Sequence, residues 1–208
     1  MRRLLNINGR HQIPYQHHFL RGETIRNLIF PLIIMLCSSC ALPPVDIPYA
    51  PQIQAPAVVF DIDGTLTPRP IEVWEARDNA TKVVQLFADK GYKIIYPSAR
   101  IKLFQANIPN WLKKEGFPDG SVNVPETSED VKDAAHFKTR ILRDFQAHGW
   151  KIEFAFGDST TDFDAYAAVG IPKERVFALK REGETSCQKG TWQACLAGWA
   201  EYINATSK

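Results

Sequence analysis

From residue 57 onward, short unbroken apolar runs alternate with longer stretches whose apolar positions recur three and four residues apart. "AVVFDID", "YKIIYPS", "KIEFAFGD" and "RVFAL" are strand-like, being rich in β-branched and aromatic residues and bounded by turn formers. Between them, helical spacing predicts helices over residues 72–90 (apolar at Val73, Val83, Val84 and Phe87, stopped by Gly91), 102–115, 136–148, 161–169 and 191–204. Strand, helix, strand, helix is the signature of a parallel sheet covered on both faces, so the expected fold is α/β: a Rossmann-like, doubly wound sheet. In the last helix Trp192, Leu196, Trp199 and Ile203 share one face, and core packing explains that stripe better than membrane contact.

The first 56 residues do not follow this alternation. Arg2, Arg3, Arg10, Arg21 and Arg26 precede "LIFPLIIMLC", an apolar run too short to cross a bilayer as a helix and interrupted by Pro31, which reads as an export leader over residues 1–40. Two exits stay open: cleavage after Ala41, or lipidation at Cys40 after "LCSSC". The expected location is therefore exported, either periplasmic or anchored to a membrane. Residues 41–56 hold five prolines in sixteen positions and read as a tether that forms neither helix nor central strand. The globular body is then residues 57–208, a length suited to one domain.

Charge follows the same division. The whole chain carries +2, but the leader holds five Arg and one Glu, which leaves 20 basic and 22 acidic residues beyond it and no excess for binding nucleic acid. With Cys37 and Cys40 in the leader, Cys187 and Cys195 form a pair in the body, and an oxidising compartment favours joining them. Neither has the close Cys or His companion of a zinc knuckle.

The polar residues at the strand ends carry the chemistry. Asp61 and Asp63 follow the first strand, Ser98 the second, and Asp158 the third, while Asp162 lies four residues further on in "GDSTTD". Ligands of open parallel sheets bind outside the carboxyl ends of strands, so these groups converge on one crevice. Carboxylates so crowded raise one another's pKa unless a cation lies between them. Ligands that are all oxygen, with no His or Cys, select a hard ion, and Mg²⁺ suits a site that keeps waters and accepts a phosphate oxygen.

"DIDGT", Ser98, Lys138 twenty residues before Asp158, and "GDSTTD" resemble, in order, the four motifs of the haloacid dehalogenase-like phosphohydrolases. A narrower resemblance, through "DIDGTLT", "GYKIIYPSAR", "FKTRILRDF" and "FAFGDSTTDFDAYAAVGIPKERVFAL", is to the catalytic (LNS2) domain of lipin-type phosphatidate phosphatases. Gly157, Asp158 and Ser159 stand where lipins usually have Gly-Asn-Arg.

That resemblance implies roles. Asp61 would be the nucleophile, forming an aspartyl-phosphate with a carboxylate already ionised at neutral pH, and Asp63 the general acid and base. The metal would be held by the Asp61 carboxylate, the Asp63 carbonyl, Asp158 and Asp162. Ser98 and Lys138 would hold phosphoryl oxygens, helped by backbone N–H groups near Gly64 and Ala99. Arg100 is either a supporting residue or a substrate contact. Lys132 competes with Lys138 for the phosphate role but fits the helix entry less well, and His136 reads as a capping or surface residue.

About thirty residues separate Thr67 from Ser98 and 39 lie between Ser98 and Lys138, too few for a full cap domain. An open cleft suits a large or membrane-borne phosphomonoester such as phosphatidate. Two alternatives remain: an exported phosphatase for small soluble monoesters, and a catalytically silent lipid-binding module, as in phosphatidylinositol-transfer proteins whose related domains have lost acidic residues. Retention of Asp61 and Asp63 favours an enzyme.

Overall fold

A computed structural model of the chain describes residue 42 and residues 46–206; the leader, with Cys37 and Cys40, lies outside the described residues. Six strands, β1 (Ala55–Phe60), β2 (Lys93–Pro97), β3 (Ser121–Asn123), β4 (Trp150–Gly157), β5 (Val176–Leu179) and β6 (Ala194–Leu196), form one sheet in the order β3-β2-β1-β4-β5-β6. Every pairing is parallel, and the order reverses between β1 and β4, where a doubly wound sheet opens its ligand crevice.

The two-residue repeat of β1 explains its unbroken apolar sequence. Val58 and Phe60 face one layer, with α1 (Ala80–Asp89), α3 (Ile108–Lys114) and α7 (Trp199–Thr206); Ala57 and Val59 face the other, with α5 (Ala134–Ala147) and α6 (Thr160–Ala168). In the first layer Phe60, Phe156 and Phe177 stand in register on adjacent strands, and Phe156 stacks on Phe60 at 4.8 Å and on Phe177 at 5.2 Å. This aromatic floor lies directly before Asp61 and Asp158 and fixes the strand ends that carry them.

Several expected elements differ. The helix expected over 72–90 begins only at Ala80, because Arg77 turns inward and donates to the carbonyls of Gly64, Pro68 and Lys180. The helix expected over 102–115 is split into α2 (Lys102–Gln105) and α3, with Pro109 in the first turn of the second piece. The stretch 191–204 is strand β6 followed by α7. Its apolar stripe is therefore divided: Leu196, Trp199 and Ile203 pack in the first layer and Trp192 in the second. Two short elements, β3 and α4 (Ser128–Lys132), add to the expected set.

The expected tether also changes. Ala55 and Pro56 belong to β1, the central strand, where they pair with Trp150 and Lys151 of β4 while pairing to β2 starts only at Ala57; a missing N–H is tolerated at such an end. Residues upstream are docked: Tyr49 packs on His148 at 4.5 Å, Ala50 N donates to His148 O, and Trp150 Nε1 donates to Pro48 O. Cys187 and Cys195 are joined by a disulfide, which ties the loop after β5 to β6. Among the described residues no helix is long and apolar enough to cross a membrane.

Candidate active site

Asp61 directly follows β1, its N–H donating to Phe156 O of β4, and the chain then turns tightly over Ile62–Leu66, with non-helical backbone angles at Asp63 and Gly64. That turn depends on Gly64. Its φ is +86°, and a Cβ there would lie 2.1 Å from Asp158 Oδ2, so no side chain fits between the first acidic pair and the second. Thr67 closes the turn by accepting from Gly64 N at 2.9 Å and donating to Arg69 O.

Around this turn the expected residues converge. Asp61, Asp158 and Asp162 are buried, and one carboxylate oxygen from each lies within 4.8 Å of the others. Lys138, on α5, places its ammonium between two of them, 2.6 Å from Asp61 Oδ1 and 2.5 Å from Asp162 Oδ1. The other oxygen of Asp162 caps α6, accepting from the backbone N–H groups of Asp158 and Ser159 and from Ser159 Oγ. Asp162 thus shapes the acidic turn as well as facing the site. Lys132 and His136 are exposed on their helices, the His136 N–H donating to the Asp133 cap, so Lys138 alone takes the buried position.

Asp63 stands nearer the mouth. Ser98 Oγ donates to its Oδ2 and Arg100 Nε to its Oδ1, both at 2.6 Å. Arg100 therefore addresses an acid, and Ser98 engages the same acid. The Gly64 N–H donates to Thr67 Oγ1. Ala99 is exposed and lines a groove of about 530 Å³ with Asp63, Pro70, Ile71, Val73, Ile101 and Phe104.

Two residues of the site escaped sequence reasoning. Arg181 pairs through Nε with Asp158 Oδ2; its position just beyond β5, the strand next to β4, is the topological signal for it. Arg77 gives no local signal, because the carbonyls it joins belong to the loop after β1 and to Lys180 beyond β5.

The electrostatics follow from crowding. Burial first, then Asp162, pushes the Asp61 carboxyl well above the usual range, with Lys138 opposing. Burial and Asp162 raise Asp158 to about 6 against the pull of Arg181. Burial would lower the Lys138 ammonium, but Asp162 and Asp61 outweigh it and hold the proton on. Lys138 binds one oxygen of Asp61, and Arg181 one of Asp158, leaving the second oxygen of each for another ligand. Clustered carboxyl oxygens whose acids resist ionisation fit a hard divalent cation, which would relieve the repulsion that burial imposes.

Comparisons with known proteins agree with this architecture. Residues 58–180 match the family described as "PITM 1-3, LNS2 domain". The human membrane-associated phosphatidylinositol transfer protein 3 is 30% identical over 139 residues, covering 63% of this chain and 14% of that protein. Human phosphatidate phosphatase LPIN3 is 29% identical over 156 residues, covering 61% of this chain and 18% of its own length. The chain thus spans less than a fifth of these two relatives. Among solved structures, one in the Pnkp1/Rnl/Hen1 RNA repair complex shares the fold with a TM-score of 0.52 at 22% identity, covering 69% of this chain and 49% of that one. With its parallel sheet, its acidic strand ends and a family match over more than half its length, the chain belongs to the LNS2 domain family and has the haloacid dehalogenase-like fold.

Proposed function

We propose that this protein is a magnesium-dependent phosphomonoesterase that works through an aspartyl-phosphate on Asp61 and takes a monoester bearing an apolar group, as phosphatidate does. The observation that carries this reading is the convergence of the buried carboxylates of Asp61, Asp158 and Asp162 with the Lys138 ammonium among them. The likeness to a phosphatidate phosphatase supports it further.

In the first half-reaction an Asp61 oxygen forms a bond to phosphorus while the bond to the leaving oxygen breaks, and Asp63 gives that oxygen a proton. In the second, water attacks the phosphorus of phospho-Asp61, its proton passes to Asp63, and the acyl phosphate bond breaks to free inorganic phosphate and the Asp61 carboxylate. Lys138 spends two of its three N–H donors on Asp61 and Asp162, which leaves the third for a phosphoryl oxygen. Mg²⁺ held by Asp61, Asp158, Asp162 and the Asp63 carbonyl would supply charge neutralisation for the transferring group.

Substrate choice is supported by the groove at the mouth, where Ile71 and Ile101 are exposed beside Asp63. Contiguous apolar surface at a catalytic mouth suits an acyl or alkyl group. The test is magnesium-dependent phosphate release from phosphatidate in detergent micelles, a soluble aryl phosphate and a phosphopeptide. Preference for phosphatidate is expected. Preference for the aryl phosphate removes the lipid substrate and keeps the enzyme, and no turnover on any of them favours the lipid-binding module.

Export to an oxidising compartment, with or without acylation at Cys40, belongs to the same proposal. The Cys187–Cys195 disulfide supports it, since such bonds persist outside the reducing cytosol. Mass spectrometry of the mature N-terminus tests it.

A further inference from the structure

Arg100 is expected either to support the site or to touch substrate, and its surroundings are specific. Its side chain is 2% exposed, whereas Asp63, its partner, is 16% exposed at the mouth. Asp63 is the carboxylate it pairs with among the described residues, through Nε alone. The guanidinium carbon lies 4.8 Å from the ring centre of Trp74 and 5.4 Å from that of Trp111, and both terminal nitrogens are buried without a hydrogen-bond partner. Two indole faces thus hold the cation, and its charge is directed at one acid. The backbone beside it is pinned too: Gln105 Nε2 donates to Arg100 O at 2.8 Å, and Arg100 N donates to Ser98 Oγ at 3.3 Å.

We infer that Arg100 is the positioning residue for Asp63, fixing Oδ1 so that Oδ2 is the oxygen that carries the proton. The assignment rests on the proposed phosphatase reading and deepens it. Both oxygens of Asp63 are engaged here, Oδ1 by Arg100 and Oδ2 by the Ser98 hydroxyl. A hydroxyl rotates freely, so Ser98 turns to a phosphoryl oxygen when one arrives and releases Oδ2; a buried guanidinium lodged in the corner of two inclined indoles, whose centres lie 6.5 Å apart, is held in place, so Oδ1 stays bound. The proton on Oδ2 then passes to the leaving oxygen as its bond to phosphorus breaks. In the second half-reaction the oxygen of the attacking water bonds to phosphorus and its proton returns to the same Oδ2, while the bond from phosphorus to the Asp61 oxygen breaks, freeing inorganic phosphate and the Asp61 carboxylate. Protons given and taken balance over the cycle. A lysine is not an equivalent, because an ammonium on a flexible stem neither covers the faces of Trp74 and Trp111 as a planar guanidinium does nor holds a fixed direction.

The experiment separates positioning from mere structural support by varying the leaving group. The full chain with Mg²⁺, as wild type, Arg100→Ala and Arg100→Lys, is assayed on an alkyl phosphate, whose leaving oxygen needs a proton, and on dinitrophenyl phosphate, whose leaving oxygen does not. Because kcat/KM reports on the steps through departure of the leaving group, both variants are expected to lose roughly 100-fold in kcat/KM on the alkyl ester. On the aryl ester the expected loss in kcat/KM is at least ten-fold smaller, while kcat falls on both, since both share the hydrolysis of phospho-Asp61. Free guanidinium is expected to restore part of the alkyl activity of Arg100→Ala and little of the aryl.

Equal loss of kcat/KM on the two esters, or no loss on the alkyl ester, overturns the assignment. If Arg100→Ala gives no cooperative melt, the leaving-group comparison is made on Arg100→Lys and on Trp74→Ala, which uncovers one face of the guanidinium and is expected to show the same selective loss. Wild-type protein inactive on both esters overturns the phosphatase reading itself, whereas active wild type with equal losses in the variants overturns the role of Arg100 alone.

Discussion

Replacing Lys138 by Met removes a charge while keeping most of the side chain's length, and the structure sets the size of the effect. The ammonium and its two partners have side-chain exposures of 4%, 3% (Asp61) and 0% (Asp162). Counted as formal charges, the four carboxylates Asp61, Asp63, Asp158 and Asp162 face three paired cations, Lys138, Arg100 and Arg181, and only two once Lys138 is replaced. Removing one partner of a buried pair costs about 3–5 kcal/mol, because the remaining charges stay out of water unpaired. For a domain of this size that is a fall in Tm of about 6–20 °C. Asp61 recovers some of the loss by taking up a proton, as burial and Asp162 already favour.

The assay is urea unfolding of wild type and Lys138→Met, first with chelator and then with Mg²⁺. The full deficit is expected in chelator, a smaller one with Mg²⁺ because the ion replaces part of the missing charge, and no phosphate release in either. A variant within about 1 kcal/mol of wild type in chelator refutes the buried triad, since no such pair is lost without a larger cost.

Further expectations follow from the same cluster. Gly64→Ala places a Cβ 2.1 Å from Asp158 Oδ2 at φ +86°, so it should cost about 1–3 kcal/mol and, by displacing Asp158, roughly 100-fold in kcat; wild-type stability and turnover in this variant would contradict the geometry. Asp158 is raised from 3.8 to about 6 by burial and Asp162, so the folded protein binds a proton that the unfolded chain releases. The sign is the reverse of the usual carboxylate: the contribution is complete below about 3.8 and is lost as pH rises through about 6, at most about 3 kcal/mol in metal-free protein. Unfolding free energies of wild type minus those of Asp158→Asn should therefore fall across that window, and Mg²⁺ should flatten the fall; a rise with pH contradicts it.

The parts legible from sequence were those whose pattern is local. β1, β2, β4 and β5 are apolar because both faces of the sheet are covered, and Asp61, Ser98 and Asp158 stand at their ends, so strand recognition located the crevice. Lys138 was legible because its helix carries a regular apolar stripe through Phe137, Ile141, Leu142 and Phe145. The edge strands β3 and β6 are three residues each, too short for any periodicity, and β6 is held by its pairing to β5 and by the Cys187–Cys195 bond.

Residues 72–79 have helix-forming composition, but Arg77 and Trp74 make contacts across the fold that a helix there would not permit. Arg181 went unrecognised, and Arg100 was open between a supporting residue and a substrate contact, for a related reason. Their importance comes from which acid each meets, and that is set by strand order and by two tryptophans distant in sequence.

The most direct measurement is to locate the phosphoryl group. Wild-type protein turning over substrate with Mg²⁺ and quenched in acid should yield one peptide, spanning β1 and the following turn, that carries phosphate on Asp61, and Asp61→Asn should yield no phosphopeptide and release no phosphate. Phosphate on another residue, or turnover that persists in Asp61→Asn, contradicts the account at its centre.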